Sequence, residues 1–598
     1  MINTSATMLH SRRAMLCLAI AGIASTQPTT ASTVFQTRQT QNHSSVETVG
    51  FADGDVGYRR EVHALREDAD AWNMYLLGLA RFQEADSDDP MSFYQIAAIH
   101  GQPYVVWNDN GPCDGCTLAG YCSHQSVLFP TWHRAYLALF EQALVHNALS
   151  VAEQFSGDDR DRYTQAARTL RIPFWDWAEL PADGETLFPQ MFVDEEVSVH
   201  SPNGPVNITN PLSGYRFKAE DEHSFMGGDE TSRQPSFTAT NRRQLRADLW
   251  NTLSSNQSYG AFGTEARDEN DDGLNPNSLE AIHDHIHVLI GGHMSIVPQA
   301  AFDPVFWLHH ANVDRIFAIY QAAYPERWIP ESTEGGSSMW YTSGTIMDRT
   351  SGLQPFQSPS EGEFWTSDEL RDTRSLNYLY DDLHRQGAAP LINSLYADGG
   401  QMLVNVSHSG GNLTRRAVRL DLDMSPDRGC DSNRRRRNNK TTEYIASVEV
   451  DAATVDGSFT IFIFDGDFDK DDSSGWQCDE NLIGSHGFFV AAVPVATGFR
   501  LRAGISVTDA LSSRAIHDSS EKGWDGDAEP LSEYIKQKID WRIIDKNGCI
   551  RGAKDLPGLK LIVLSSEVEI SPDKNGLPAW DDFNIVQTVT DVRDDGCA

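Results

Sequence analysis

The chain has 598 residues, and its 85 acidic against 48 basic side chains give a formal charge of −37 with histidine neutral. That balance excludes a basic nucleic-acid-binding surface, and a composition 40% hydrophobic and 10% aromatic excludes wholesale disorder. Beyond the N-terminus no apolar run approaches the ~20 residues of a membrane span, so neither nucleic acid nor membrane is expected as a partner.

Arg12 and Arg13 precede an apolar stretch, Ala14 to Ala24, followed by small and polar residues to Thr33. This predicts a secretory signal peptide over residues 1–24 and a secreted protein. Asn42, Asn207, Asn256, Asn405, Asn412 and Asn439 begin N-x-Ser/Thr sequons, in keeping with that route. Cys17 would leave with the signal, and Cys113, Cys116, Cys122, Cys430, Cys478, Cys549 and Cys597 remain. Cys113 and Cys116 are read as a small disulfide, with metal loading as the alternative. The last four could form two disulfides, and Cys122 is then the odd sulfur.

From about Tyr58 to Tyr320 the apolar pattern is mostly helical with long loops. From about Gln401 short β-rich runs take over: Tyr444 to Val450, Phe459 to Phe464, Phe488 to Val495, Phe499 to Val507 and Leu559 to Ile570. The expected fold is a mainly α core, a helical bundle with long loops, followed by an all-β, sandwich-like domain. Near the junction, Gly410 to Lys440 carries Arg415, Arg416 and Arg434 to Arg437. It reads as a solvated basic loop, with a site for a dibasic-cutting protease as the sharper account.

Asp89 and Pro90 predict an N-cap and first helical position, with Gly101 as the stop. The stripe Phe93, Ile96, Ala97 includes His100, which should point inward. His124 and His133 flank Pro130 and cannot share one uninterrupted helix. Thr131 is the expected N-cap of a helix with His133 on its first turn, and His124 approaches from the preceding loop. The segment Leu279 to His287 is helical until Gly291 and Gly292, and places His283 and His287 at i and i+4 on one face, with His285 elsewhere. Asp303 and Pro304 start another helix, in which periodicity does not choose between His309 and His310. Asp314, one turn beyond His310, is either a carboxylate behind the site or a partner of Arg315.

Six imidazoles on several helices, without a thiolate cluster or a carboxylate-rich set, suit copper or zinc, and two three-histidine sites are the natural partition. No HExxH is present, which disfavours a zincin protease. Asp268-x-Asn270-x-Asp272-Gly273 begins like a calcium loop, but its twelfth position is Leu279, so it reads as an acidic turn.

The runs His124-x4-Phe129-Pro-Thr-Trp132-His133-Arg134-x2-Leu137-x3-Glu141 and Asp303-Pro-Val-Phe306-Trp-x2-His310-x3-Asp314 resemble the two copper signatures of the tyrosinase, catechol oxidase and hemocyanin family, in its longer fungal form. The resemblance implies two copper ions, one on His100, His124 and His133 and one on His283, His287 and His310, with His309 an outer neighbour. It implies a thioether between Cys122 and His124, and a water held by Glu280 and by Asp284, where many monophenolases carry asparagine. It also implies a gate at Val297, roomier than the phenylalanine of many plant catechol oxidases. Tyr378-Leu-Tyr380 resembles the motif that closes the family's catalytic core, which puts that core at residues 50–395 and a shielding domain at 400–598. Trp476, Phe488 and Phe489 are the candidates for the aromatic plug of that domain. The implied partners are a small phenol and dioxygen, with an activating protease. The implied activity is o-hydroxylation of monophenols and oxidation of o-diphenols to o-quinones, for pigment or a secondary metabolite. Alternatives are a catechol or o-aminophenol oxidase without monophenolase activity, a hemocyanin-like oxygen binder, and a zinc lyase or hydrolase.

Overall fold

A computed structural model of the chain describes residues 46–51, 56–116, 120–179, 181, 186–268, 274–360, 362–397, 440–491, 497–511, 528–552, 556, 558–573 and 575–590. The signal segment, Asn42, Asn405, Asn412, Asn439, Cys430, Cys597, the basic run and residues 269–273 of the acidic turn lie outside them. Asn207 and Asn256 are exposed.

The principal helices of the first part are α1 (Ala69–Gln83), α2 (Phe93–Ala98), α3 (Phe129–Ala152), α4 (Gly157–Thr169), α5 (Ala239–Ser254), α6 (Leu279–Ile290), α7 (Pro304–Ala323) and α8 (Ala388–Tyr396). Helix α3 is apolar on nearly all sides and runs buried through the centre. Phe140 of α3 stacks on Trp307 of α7 at 3.7 Å, which locks these two helices together. A short parallel pair, β1 (Gly57–Arg59) with β3 (Tyr378–Tyr380), closes this part over α7.

Two predicted helix starts are corrected. Helix α2 begins at Phe93 because Ser92 Oγ, not Asp89, accepts the capping Gln95 N–H, while the Asp89 carboxylate closes a separate turn on Met91 N–H. The helix is half the expected length, and His100 sits in the turn that follows. Helix α3 begins at Phe129 rather than Thr131, since its first turn tolerates Pro130, which needs no N–H there. The Asp303 cap and Pro304 start of α7, and the Gly291 stop of α6, are as read from the sequence.

The second part is a β-sandwich. One sheet has the order β11 (Ala579–Trp580), β10 (Lys560–Glu569), β4 (Lys440–Asp451), β7 (Phe499–Ser506), β2 (Ala266–Asp268), with β12 (Asn584–Thr588) also on β10. The other has the order β6 (Leu482–Phe488), β5 (Phe459–Asp465), β8 (Ile539–Asp545), β9 (Ile550–Arg551). Strand β2 comes from the helical part, so the core lends an edge to the sandwich. Val448, Val450, Leu501 and Ala503 of the first sheet meet Ile461, Ile463, Trp541 and Ile543 of the second in one apolar cluster. Helix α9 (Ala528–Lys538) adds Leu531 and Ile535 to it. The expected run Phe488 to Val495 is corrected: the strand comes before it, at Leu482–Phe488, where Gly484, Ser485 and Gly487 hide the β pattern.

Candidate metal centre

Three imidazoles converge from a turn, a loop and a helix. His100 follows α2, His124 lies in the loop before α3 and His133 opens the second turn of α3, which starts at Phe129; their ring centroids are 5.3, 5.4 and 5.8 Å apart. His100 Nδ1 donates to the Val297 carbonyl at 3.0 Å and His133 Nδ1 to the Phe129 carbonyl at 2.9 Å. Those bonds fix the tautomer and turn Nε2, with its lone pair, inward. The Nε2 atoms of His100, His124 and His133 are all buried without a hydrogen-bond partner. The turn is held by contact: a Cβ on Gly101 would lie 2.3 Å from Pro298 Cα, next to the carbonyl that holds His100. Val297 therefore acts on His100 through its backbone, and its side chain is buried.

The second set comes from two helices. His283 and His287 of α6 and His310 of α7 bring their Nε2 atoms together, 3.2 Å from His283 to His310 and 3.2 Å from His287 to His310. His283 Nδ1 is bonded to Asp284 Oδ1 at 2.8 Å, and His287 Nδ1 donates to the Met294 carbonyl at 2.7 Å. With those protons committed outward, the Nε2 lone pairs of His283 and His287 both face His310 Nε2, whose own Nδ1 is buried without a partner. Nitrogens about 2.0–2.1 Å from a tetrahedral metal lie roughly 3.3 Å apart, which this spacing fits. His309 groups with these three, and neither of its ring nitrogens has a hydrogen-bond partner. The two sets face each other across His133 and His310, whose rings stack at 4.6 Å. Burial pushes every one of these imidazoles down, His124 to about 3, so all are neutral donors at physiological pH. Neutral imidazoles without thiolates suit a binuclear copper centre.

The two candidate carboxylates sit behind the histidines. Glu280 Oε1 accepts from Gln125 N–H at 2.5 Å, and its Oε2 accepts from the Thr264 hydroxyl and Glu265 N–H. It thereby ties down the loop that carries His124; burial pushes its pKa up to about 7 despite these donors. Asp284 divides its oxygens between His283 Nδ1 and the Phe489 N–H, the latter at 3.0 Å. Burial, and then repulsion from Glu265 and Glu280, raise its pKa well above the carboxylate range.

Asp314 does not pair with Arg315. Its carboxylate accepts from Arg134 Nε at 2.7 Å, Arg59 Nη1 at 3.1 Å and the hydroxyls of Tyr378 and Tyr380 at 2.5 and 2.6 Å, all buried. Arg315 is taken by Asp176 and Asp382. The tyrosine motif thus clamps the helix of His309 and His310 from behind. Arg59, which also donates to Glu141 at 2.9 Å, escaped the sequence reading, because no local pattern announces a partner 255 residues away.

The sandwich reaches this centre through Phe489. Its ring lies on His287 at 4.0 Å and 5°, and 6.0 Å from each of His124 and His283. Phe488 packs inside the sandwich on Phe459, and Trp476 lies among Phe462, Phe464 and Phe468, so neither approaches the histidines. Cys122 is a free buried thiol, Cys113 and Cys116 form a disulfide, and Cys478 is an exposed thiol.

Residues 90–323 match the common central domain of tyrosinase and residues 443–563 the tyrosinase C-terminal domain. Polyphenol oxidase 4 of Agaricus bisporus is 33% identical over 484 residues, 75% of this chain and 75% of that protein. The tyrosinase of Podospora anserina is 29% identical over 507 residues, 74% of this chain and 88% of its own length. A crystal structure of latent and active mushroom tyrosinase matches with a TM-score of 0.70 at 27% identity, covering 91% of this chain and 99% of the other.

Proposed function

Because the chain belongs to the tyrosinase family, we propose that it is a secreted phenol oxidase, made in latent form, that o-hydroxylates monophenols and oxidises o-diphenols to o-quinones with dioxygen. The observation that carries this reading is the convergence of two histidine sets under Phe489: the buried, partnerless Nε2 atoms of His100, His124 and His133, and the Nε2 atoms of His283, His287 and His310, which meet only one another. His100, His124 and His133 would hold one copper, and His283, His287 and His310 the other, with His309 beside them. Bound there, the copper pair supplies the binding and reduction of dioxygen.

The chain's own residues supply geometry and proton handling. Carbonyls of Val297, Phe129 and Met294 hold three imidazoles in one tautomer, and Asp284 holds His283. Both carboxylates assigned to deprotonating an incoming monophenol are engaged while β6 is in place: Glu280 by the His124 loop and the turn at Thr264, Asp284 by His283 Nδ1 and the Phe489 N–H, and withdrawal of Phe489 would free an oxygen of Asp284. We assign Val297 the gate and Cys122 a thioether to His124. The core spans 50–395, and the domain at 400–598 shields it until a protease cuts between them. The segment 1–24 is assigned as a signal peptide from Arg12, Arg13 and the apolar stretch Ala14 to Ala24. The quinone product serves pigment or secondary-metabolite formation.

Copper-loaded protein cut between the domains tests this, by oxygen uptake on a monophenol and on its matching catechol. Uptake on both is expected. Uptake on the catechol alone would favour the second reading, a catechol or o-aminophenol oxidase, to which Asp284 in place of asparagine points. Reversible oxygen binding without quinone would indicate an oxygen carrier.

A further inference from the structure

Two imidazoles of the first set are aimed by a bond from the far side of the ring, His100 Nδ1 to the Val297 carbonyl and His133 Nδ1 to the Phe129 carbonyl. Such an outer bond is what usually fixes the orientation of a metal-binding histidine. Among the described residues His124 has none, and its Nε2 is buried without a partner. It also lies in a loop, so no helix sets the direction of its side chain. Something else must place it.

The backbone around His124 is gripped on both sides. Gln125, the next residue, has φ +55°, in the left-handed region that a side chain rarely adopts. Its N–H donates to Glu280 Oε1 at 2.5 Å, and its carbonyl accepts from Gly335 N–H at 3.1 Å and Gly336 N–H at 3.3 Å. Ahead of Cys122, the Gly120 carbonyl accepts from Met339 N–H at 2.7 Å and the Tyr121 carbonyl from Trp340 Nε1 at 3.0 Å. All four of these donors other than Gln125 itself come from one turn, residues 334–345, some 210 positions along the chain. That turn is closed on itself: Glu334 N–H donates to the Thr345 carbonyl at 2.9 Å, Gly344 N–H to the Glu334 carbonyl at 2.8 Å and Ser343 Oγ to the Gly335 carbonyl at 2.6 Å. Its approach to the loop is as close as backbone allows. A Cβ on Gly336 would lie 2.3 Å from the His124 carbonyl oxygen, and one on Gly335 would lie 3.2 Å from the Gln125 carbonyl oxygen and 3.0 Å from Ala266 Cβ of β2. Neither glycine has a positive φ, so contact and not conformation requires them.

We infer that the turn 334–345 is the positioning element of His124, with Gly335, Gly336 and Trp340 as its positioning residues. They hold the carbonyls of Tyr121 and Gln125, and thereby the direction in which the His124 side chain leaves the backbone, in place of the ring bond that His100 and His133 have. This deepens the phenol-oxidase reading and rests on it. None of the three residues belongs to a histidine set, and each acts through the main chain of the loop.

The test uses the full chain in two backgrounds that each leave one histidine set intact, His287→Ala for the first set and His133→Ala for the second. A lone cupric ion is paramagnetic, so its EPR spectrum reports the ligand geometry, and competition with a chelator gives its affinity. In the His287→Ala background, adding Gly336→Ala should change the spectrum and weaken copper about 10–100-fold, the usual effect of losing an outer support. In the His133→Ala background the same substitution should change neither. Trp340→Phe keeps an aromatic ring and removes only the bond to the Tyr121 carbonyl. It should alter the first-set spectrum and weaken copper several-fold there alone, and it decides the matter if Gly336→Ala does not fold. A first-set spectrum and affinity matching the background's, or an equal loss at both sets as general destabilisation would give, overturns the inference and leaves the phenol-oxidase reading standing. If neither background holds one copper, that reading fails beneath it.

Discussion

Replacing Asp314 with asparagine tests whether the charge network behind the second histidine set supports the core. Among the described residues Arg134 has no other carboxylate partner; its remaining polar contacts are backbone carbonyls of Leu370 and Arg371. The substitution leaves that guanidinium buried and uncompensated, and withdraws the acceptor of two tyrosine hydroxyls. Breaking a buried pair costs roughly 3–5 kcal/mol, so we expect a loss of about 4 kcal/mol. With a urea dependence of at least about 3 kcal/mol per molar for a chain of this size, the midpoint of the metal-free protein should fall by up to about 1.3 M. Burial alone would raise the Asp314 pKa, but the two guanidiniums and the two phenols hold it below its ordinary value. Its contribution is therefore present above the ordinary carboxylate pKa of about 3.9 and lost as pH falls through the lower folded value. The gap between variant and parent should narrow under acid. The paired change Asp314→Leu with Arg134→Met should recover more than half of the loss, since no lone charge remains. A midpoint within about 0.3 M of the parent would refute the reasoning.

His133→Ala and His287→Ala should each bind one copper fewer by metal analysis and lose oxidase activity, with the urea midpoint of the metal-free chain little changed; full copper in either would remove that residue from the ligand set. Phe489→Ala should raise oxygen uptake on a small catechol in the uncut chain several-fold, and unchanged uptake would show that the ring does not obstruct the site. Burial pushes Asp248, under the sandwich, up to about 7. Its folded pKa lies above its unfolded one, so its contribution is full below about pH 4 and lost as pH rises to about 7. Asp248→Asn should then gain on the parent by up to about 4 kcal/mol between those pH values, read from urea midpoints; parallel profiles would contradict the shift. Gly101→Ala should cost about 1–3 kcal/mol and weaken metal binding at the first set by moving the Val297 carbonyl off His100. A copper titration matching the parent's would refute that linkage.

The helices that carry the two histidine sets were legible because their signals are local. Proline and aspartate start α7, two glycines end α6, and the i, i+4 spacing of His283 and His287 needs only a helix to become a face. His100 was placed near the site although its helix is half the expected length, since the stripe that turns it inward survives in the following turn. Periodicity left His309 and His310 equivalent; in the structure His310 Nε2 meets both His283 and His287, while His309 joins the same group without a bond to either. Phe489 had no motif of its own. Its position follows from the register of an edge strand whose glycines and serine give a weak β pattern, and from partners more than 200 residues away.

The sequence by itself determined the order of a helical part and a β-rich part, the histidines available as donors and the helices that carry most of them, because periodicity, caps and spacing act within a few turns of chain. Only the tertiary structure decided that Asp314 is shared by Arg59, Arg134, Tyr378 and Tyr380, that β2 of the core completes a sheet of the sandwich, and that Asp284 and its neighbour His283 are tied to the Phe489 N–H. Those contacts join residues tens to hundreds of positions apart. They form because a buried charge or an unpaired strand edge must find its complement wherever packing brings one, and no local pattern records where that will be.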